Sequence, residues 1–386
     1  MKRFWGFGLL ALVLLFSGWA RARESLPYKL ASRADQDEIQ RFRGSGKDSL
    51  AFELLLENYH SKALSLDAVQ LRLLKQGKEV FVQELKDEGL RACFSGVQDN
   101  YHKAQDPILA PGSAGILFLW LDLPDTVGPV DRVETRLVVQ EQGKPGSPMT
   151  LEGPSLTVSA RPLRVISPPL RGTLWWTPNG PANNSTHRRV MIPLSGQLWV
   201  PERFAVDWIQ LGEDGKSYAG AADRNASYHA YGKPILSVAP GTVVKVKDGI
   251  PENVPNAKQM AVPIDLETIG GNYVIVDIGG GLFAFYAHLQ PGTIKVKVGD
   301  AVAAGQTLGL LGNSGNSSEP HLHFHLIDRP DPLRGQGQPF ALDRWLQIEE
   351  GVKTDADDNP IALNLNGKKS ERKNQIYGNL DLAEFP

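Results

Sequence analysis

Gly312-Asn-Ser-Gly-Asn-Ser-Ser-Glu-Pro-His321-Leu-His323-Phe-His325-Leu326 delivers three imidazoles at strand spacing, directly after a tight polar turn. Residues i, i+2 and i+4 of a β-strand share one face, so the three rings are expected to point into one space. Neutral imidazole is the commonest protein ligand for zinc and a capable general base. A lone histidine on a strand is more often a hydrogen-bonded structural residue, but this short run holds three of the chain's eight histidines. Packing alone does not explain that clustering.

Working outward, Phe285-Tyr-Ala-His288-Leu reads as an alternating strand ending in another histidine. Further upstream, Arg203-Phe-Ala-Val-Asp207-Trp puts an acid at the end of an apolar strand. An uncompensated carboxylate in that setting costs several kcal/mol, so Asp207 needs a partner, either a metal or a guanidinium.

The same reading extends to an all-β chain. In the first half, short apolar segments at 50–56, 68–74, 79–85, 115–123, 133–140 and 150–158 are separated by Gly, Pro, Asp and Lys clusters. That spacing suits an antiparallel, immunoglobulin-like β-sandwich over residues 23–160. His60 and His102 sit there in polar, turn-like sequence and read as surface residues. The proline density of 161–172 reads as a linker. From 173 to 347 the composition shifts to Gly and Val, with strands expected at 242–246, 272–277, 282–288, 294–298 and 321–326. Residues 348–386, rich in Asp, Asn, Lys and Glu, read as a polar C-terminal tail, an extended strap or a mobile end.

Met1-Lys2-Arg3, the apolar run to Phe16 and the small residues that follow have the form of a secretory signal over residues 1–22, with Ala20-Arg21-Ala22 as the processing site. The apolar run is shorter than the roughly 18 residues that span a bilayer. Arg21 and Arg23 just after it leave an uncleaved anchor as the alternative. The expectation is an exported chain, periplasmic or extracellular, without stable membrane insertion after cleavage. With Cys93 as the single cysteine no internal disulfide can form. A net charge of −2, from 41 basic and 43 acidic residues, gives no sign of a nucleic-acid surface.

Over about residues 185–345 the chain resembles the lysostaphin/LytM-type zinc metalloendopeptidases, which cleave peptide bonds in bacterial peptidoglycan. The resemblance rests on Ala239-Pro-Gly-Thr-Val, Gly271-Asn-Tyr-Val-Ile-Val-Asp, Tyr286-Ala-His288-Leu, Val298-Gly-Asp, Gly305-Gln, Leu311-Gly-Asn-Ser-Gly-Asn-Ser and Pro320-His321-Leu-His323-Phe. It implies a lysostaphin-like antiparallel, barrel-sandwich-type domain binding Zn2+ and acting on stem or cross-bridge peptides. Asp207 and His323 would be zinc ligands, with the non-ligand histidines His288 and His321 as the catalytic pair. Such a site needs no glutamate base, in keeping with the lack of a His-Glu-x-x-His sequence.

Two positions depart from the family pattern. Where the family has its first histidine ligand, four residues before the aspartate, this chain has Arg203, which is permanently cationic and has no lone pair to offer. Where a glutamate commonly follows His-Leu-His-Phe, it has His325. His325 is the first choice for the third ligand, because strand neighbours two apart, about 6.6–6.8 Å between Cα atoms, can share one metal. His187, and His229 within an insertion at about 210–231, are further options, although a solvated loop residue is the stronger reading of both. An alternative is a metal-free domain that binds peptidoglycan or regulates another wall hydrolase, with Arg203 neutralising Asp207. A peptide hydrolase unrelated to the wall is a third reading.

Overall fold

In the computed structural model, which describes residues 29–44, 46–97, 106–144, 146–355 and 360–386, nearly all regular structure is β. The expected signal segment and His102 lie outside the described residues. No helix among the described residues is long and apolar enough to cross a membrane.

The apolar segments of the first half form the strands Lys47–Asn58, Leu64–Lys75, Lys78–Lys86, Ala114–Leu123, Arg132–Glu141 and Met149–Ser159. They divide between two sheets. Lys47–Asn58 pairs with Ala114–Leu123 in one, and Arg132–Glu141 lies between Leu64–Lys75 and Met149–Ser159 in the other. Leu54, Leu56, Leu71, Leu73, Leu119 and Leu137 fill the space between the sheets. Alternation along Arg132–Glu141 is strict, with Val133, Leu137 and Val139 buried, as period-two patterning requires for a half-buried strand.

Lys47–Asn58 breaks that pattern, because it is buried on both faces from Ser49 to Leu56. One face fills the sandwich. The other meets the second half of the chain: Leu55, Ile116 and Phe118 pack with Met191 and Val200, while Phe42 and Ala51 pack with Phe204 and Ile376. The two halves therefore share apolar clusters.

The second half is built on one long sheet. Its central strands run in the order Phe340–Ile348, Leu382–Phe385, Gly172–Asn179, Val206–Gln210, Leu322–Ile327, Phe283–Leu289, Asn272–Asp277 and Gly241–Lys247. Two expectations change. The Pro-rich stretch is not a free connector, since Arg164–Ile166 pairs in parallel with Phe340–Leu342. Nor is the C-terminal segment a loose tail. Leu382–Phe385 lies between Phe340–Ile348 and Gly172–Asn179, with Leu382, Ala383 and Phe385 buried. Backbone ladder bonds and three apolar side chains outweigh a polar average composition.

Candidate active site

Sheet register assembles one row of functional side chains. Asn179 stands opposite Asp207, Asp207 opposite His323, and His323 opposite Ala287, next to His288. Directly paired residues share a face at about 4.5–5.5 Å. Distant segments thus meet by strand pairing alone. A cleft of about 290 Å³ opens over this row, lined among others by Asn179, His187, Glu202, Asp207, His288, His321 and His323.

His187, Asp207 and His323 each offer a donor atom, and these atoms lie within 4.8 Å of one another. His187 Nε2 is 3.2 Å from Asp207 Oδ2, and His323 Nδ1 is 3.0 Å from Asp207 Oδ1. Asn179 supports two of the three: its amide donates to Asp207 Oδ2 at 3.2 Å, and its carbonyl oxygen accepts from the His187 backbone N–H at 3.4 Å. Burial opposes protonation of His187, but the facing carboxylate more than offsets this and pushes it up to about 9. Burial likewise acts against the Asp207 carboxylate, yet His187 and His321 hold it well below the usual range. The pocket favours positive charge beside Asp207. Two imidazoles and a carboxylate are also a donor set that zinc accepts. The residues present therefore fit that ion.

His288 and His321 flank the donors, their rings 4.7 Å apart. His288 Nδ1 lies 2.7 Å from the Ser314 carbonyl oxygen, and His321 Nδ1 lies 2.8 Å from that of Glu319. A carbonyl only accepts, so each Nδ1 carries the proton and each Nε2 is left to exchange one with a substrate. His321 Nε2 is 3.5 Å from Asp207 Oδ1. His288 adopts φ +65° at the end of its strand, an arrangement that costs a non-glycine residue about 1–3 kcal/mol. The Gly312–Ser318 turn makes the arrangement possible. Ser314 is fully buried, and Gly271, at φ +60°, lies so close that a Cβ there would meet the Ser314 carbonyl oxygen at 2.3 Å. Only glycine leaves that carbonyl free to hold His288.

His325, the first choice for a third ligand, sits elsewhere. Its ring lies beside His323 on the shared face, with Nδ1 3.0 Å from His323 Nε2, but the residue is 1% exposed and is not part of the cleft wall. The Nδ1 edge of His323 faces Asp207, so His325 stands behind His323, away from the donor cluster. Burial and the neighbouring His323 and His187 hold its pKa well below the ordinary value. His229 belongs to the insertion, where its backbone N–H bonds Ser217, and is outside the donor group. Arg203 does not reach Asp207. It is turned away and fully buried against Glu53 and Asp35 of the N-terminal sandwich. Asn179 and Glu202 carry no signal in the sequence that marks them as site residues. Glu202 lines the cleft with Oε1 3.9 Å from His323 Nε2.

Residues 226–337 match the family model described as Peptidase family M23. That stretch is a Peptidase family M23 domain. It contains His288, His321, His323 and His325 and begins after Asp207, so His187 and Asp207 lie upstream of the match. The peptidoglycan DD-endopeptidase ShyA of Vibrio cholerae is 44% identical over 63 residues, 16% of this chain and 14% of that protein. Lysostaphin of Staphylococcus simulans is 45% identical over 56 residues, 14% of this chain and 11% of its own length. The matched stretches thus span a small fraction of these relatives. Among solved structures, the catalytic domain of Staphylococcus simulans lysostaphin matches at 26% identity with a TM-score of 0.21, covering 32% of this chain and 86% of that one.

Proposed function

We propose that the chain is an exported, zinc-dependent endopeptidase that hydrolyses peptide bonds in the stem or cross-bridge peptides of bacterial peptidoglycan. One observation carries this reading: the His187–Asp207–His323 donor cluster stands in a cleft beside two histidines whose Nδ1 positions are tied to backbone carbonyls. The match to Peptidase family M23 and the names of the relatives support the substrate class. Zinc held by His187, Asp207 and His323 would polarise the scissile carbonyl and acidify the attacking water.

The chain's own groups do the rest. One of His288 and His321, neutral with its proton on Nδ1, takes a proton from water through Nε2 and returns it to the leaving amine, while the other, protonated on both nitrogens, donates a hydrogen bond from Nε2 to the developing oxyanion. Because both Nδ1 atoms are already committed, neither ring can turn its Nε2 away from the cleft without breaking the hydrogen bond to its backbone carbonyl. The metal-free alternative relied on an Arg203–Asp207 pair, and Arg203 is committed to Glu53 and Asp35 instead.

The deciding experiment is metal analysis of the purified, chelator-free chain, combined with hydrolysis of purified peptidoglycan and of a soluble protein. About one zinc per chain and release of wall peptides are expected. A chain without stoichiometric zinc, or one that cleaves the soluble protein equally well, would sink this reading. His288→Ala and His321→Ala are each expected to lower wall hydrolysis by about 10²-fold or more while leaving zinc in place. Zinc loss in either variant would move that residue into the ligand set.

A further inference from the structure

His187 sits on a helix of four residues, Thr186–Arg189. A segment so short does not hold itself, since isolated helices below about 12–15 residues are marginal in water. Ser185 caps it by accepting from the Arg188 backbone N–H at 3.2 Å. Within the second half, Asn179 accepts from the His187 backbone N–H at 3.4 Å and Arg189 Nε donates to the Asn183 carbonyl at 2.9 Å, and the other side-chain anchors run into the N-terminal sandwich. Arg188, fully buried, pairs with Glu53 and donates to the carbonyls of Phe52 at 3.1 Å and Leu119 at 3.2 Å. Arg189 donates to the carbonyl of Ala92 at 2.7 Å. Both guanidinium carbons lie near the Phe118 ring, at 5.3 and 4.6 Å from its centre.

Glu53 binds the other donor segment as well. Arg203, four residues before Asp207, donates from Nε to both Glu53 oxygens at 3.0 Å and from an Nη to Oε2 at 2.6 Å. Glu53 is 2% exposed in the middle of the otherwise apolar run from Leu50 to Leu56. A carboxylate there survives only if fully paired, and its two cationic partners flank the two chain segments that present His187 and Asp207. Around this carboxylate the charged groups are Arg188, Arg203 and Asp35.

We infer that the N-terminal sandwich is a structural part of the metal centre, with Glu53 acting through Arg188 as the positioning residue that aims His187 at Asp207. The arginine at the usual ligand position is then the second half of the same clamp. Separating the sandwich from the catalytic half takes away the support that aims His187, so metal retention depends on the two halves staying together. This inference rests on the proposed zinc site.

The test uses the full chain. Zinc affinity is measured by chelator competition, and the coordination sphere by the visible d–d absorption of the cobalt-substituted protein, for the unsubstituted chain, Arg188→Met, Arg188→Lys and Leu137→Val. Arg188→Met keeps Glu53 paired with Arg203 and is expected to fold while losing about 10–100-fold in zinc affinity, the usual consequence of removing support behind a ligand. Its cobalt spectrum should change in shape and intensity. Arg188→Lys should recover part of the affinity. Leu137→Val loosens the sandwich core from the other sheet, outside the hydrogen bonds of the clamp, and should leave both readouts unchanged. Arg188→Met that melts cooperatively yet binds zinc within about twofold of the unsubstituted chain, with the same spectrum, overturns the inference, and so does a Leu137→Val variant that loses zinc equally. An unsubstituted chain without zinc would instead overturn the proposed function on which the inference stands.

Discussion

His187→Ala is expected to empty the metal site and stop hydrolysis, a larger functional effect than loss of either proton-transfer histidine. A catalytic zinc is held by three protein ligands with a position left open. Among the described residues, the donors within 4.8 Å of one another are those of His187, Asp207 and His323. Removing the imidazole leaves one carboxylate and one ring, too few to retain zinc against a chelator. Bound metal should fall from about one per chain to near zero, and turnover by more than the roughly 10²-fold expected for a proton-transfer group alone. Unlike the unsubstituted protein, the variant should melt at the same temperature with and without added zinc, because a ligand stabilises only the fold that binds it.

His325→Ala gives the matching control. That ring touches His323 but faces away from Asp207, so its loss should weaken zinc binding by no more than about 10–100-fold. Metal analysis of the two variants side by side checks the assignment. Zinc retained in His187→Ala and lost in His325→Ala would reverse the roles and restore the expectation drawn from strand spacing.

The contrast between these two histidines shows what the sequence makes legible. Strand periodicity places His321, His323 and His325 on one face; the sheet bears this out for His323 and His325, while His321 stands just before the strand Leu322–Ile327, and the apolar segments of the first half all become strands. Asp207 is legible because an acid ending an apolar run demands a partner. Shared face is not shared function, however. Which edge of His323 meets Asp207 depends on the side-chain torsions of three residues, and spacing carries no information on that. His187 lies in Ser-Thr-His187-Arg-Arg, which resembles a solvated turn because its charges are visible and their partners are not. Glu53, far upstream in the chain, supplies the missing counter-charge. The only local sign of it is one acid within Leu50-Ala-Phe-Glu53-Leu-Leu-Leu56. A charge at the centre of a strand buried on both faces marks a contact with something outside that strand. Arg203 misleads for the same reason. Beside Asp207 in sequence, it suggests an ion pair, but the fold sends the two side chains to different partners.

Deleting the last residues, from Leu382 to Pro386, is expected to abolish cooperative folding of the second half. Composition argues the reverse, since the segment from 348 is polar and short of aromatics. Topology decides. Leu382–Phe385 is an interior strand: it pairs with Gly172–Asn179 on one side and Phe340–Ile348 on the other, so its removal leaves two ladders facing each other across a gap. Phe385 packs against Trp208 and Tyr377 with ring centres 6.0 and 5.8 Å apart, next to the strand that carries Asp207. Truncating a buried leucine costs about 2–5 kcal/mol and a buried phenylalanine about 3–5 kcal/mol. Losing both, with the strand's hydrogen bonds, approaches the whole stability of a typical domain, about 5–15 kcal/mol. A thermal melt of the truncated chain should lack the transition assigned to the second half, and the protein should fail to retain zinc. Phe385→Ala offers a graded version, with an expected loss of about 3–5 kcal/mol in denaturant unfolding. A truncated chain that still melts cooperatively and holds zinc would show that the segment is a dispensable strap after all.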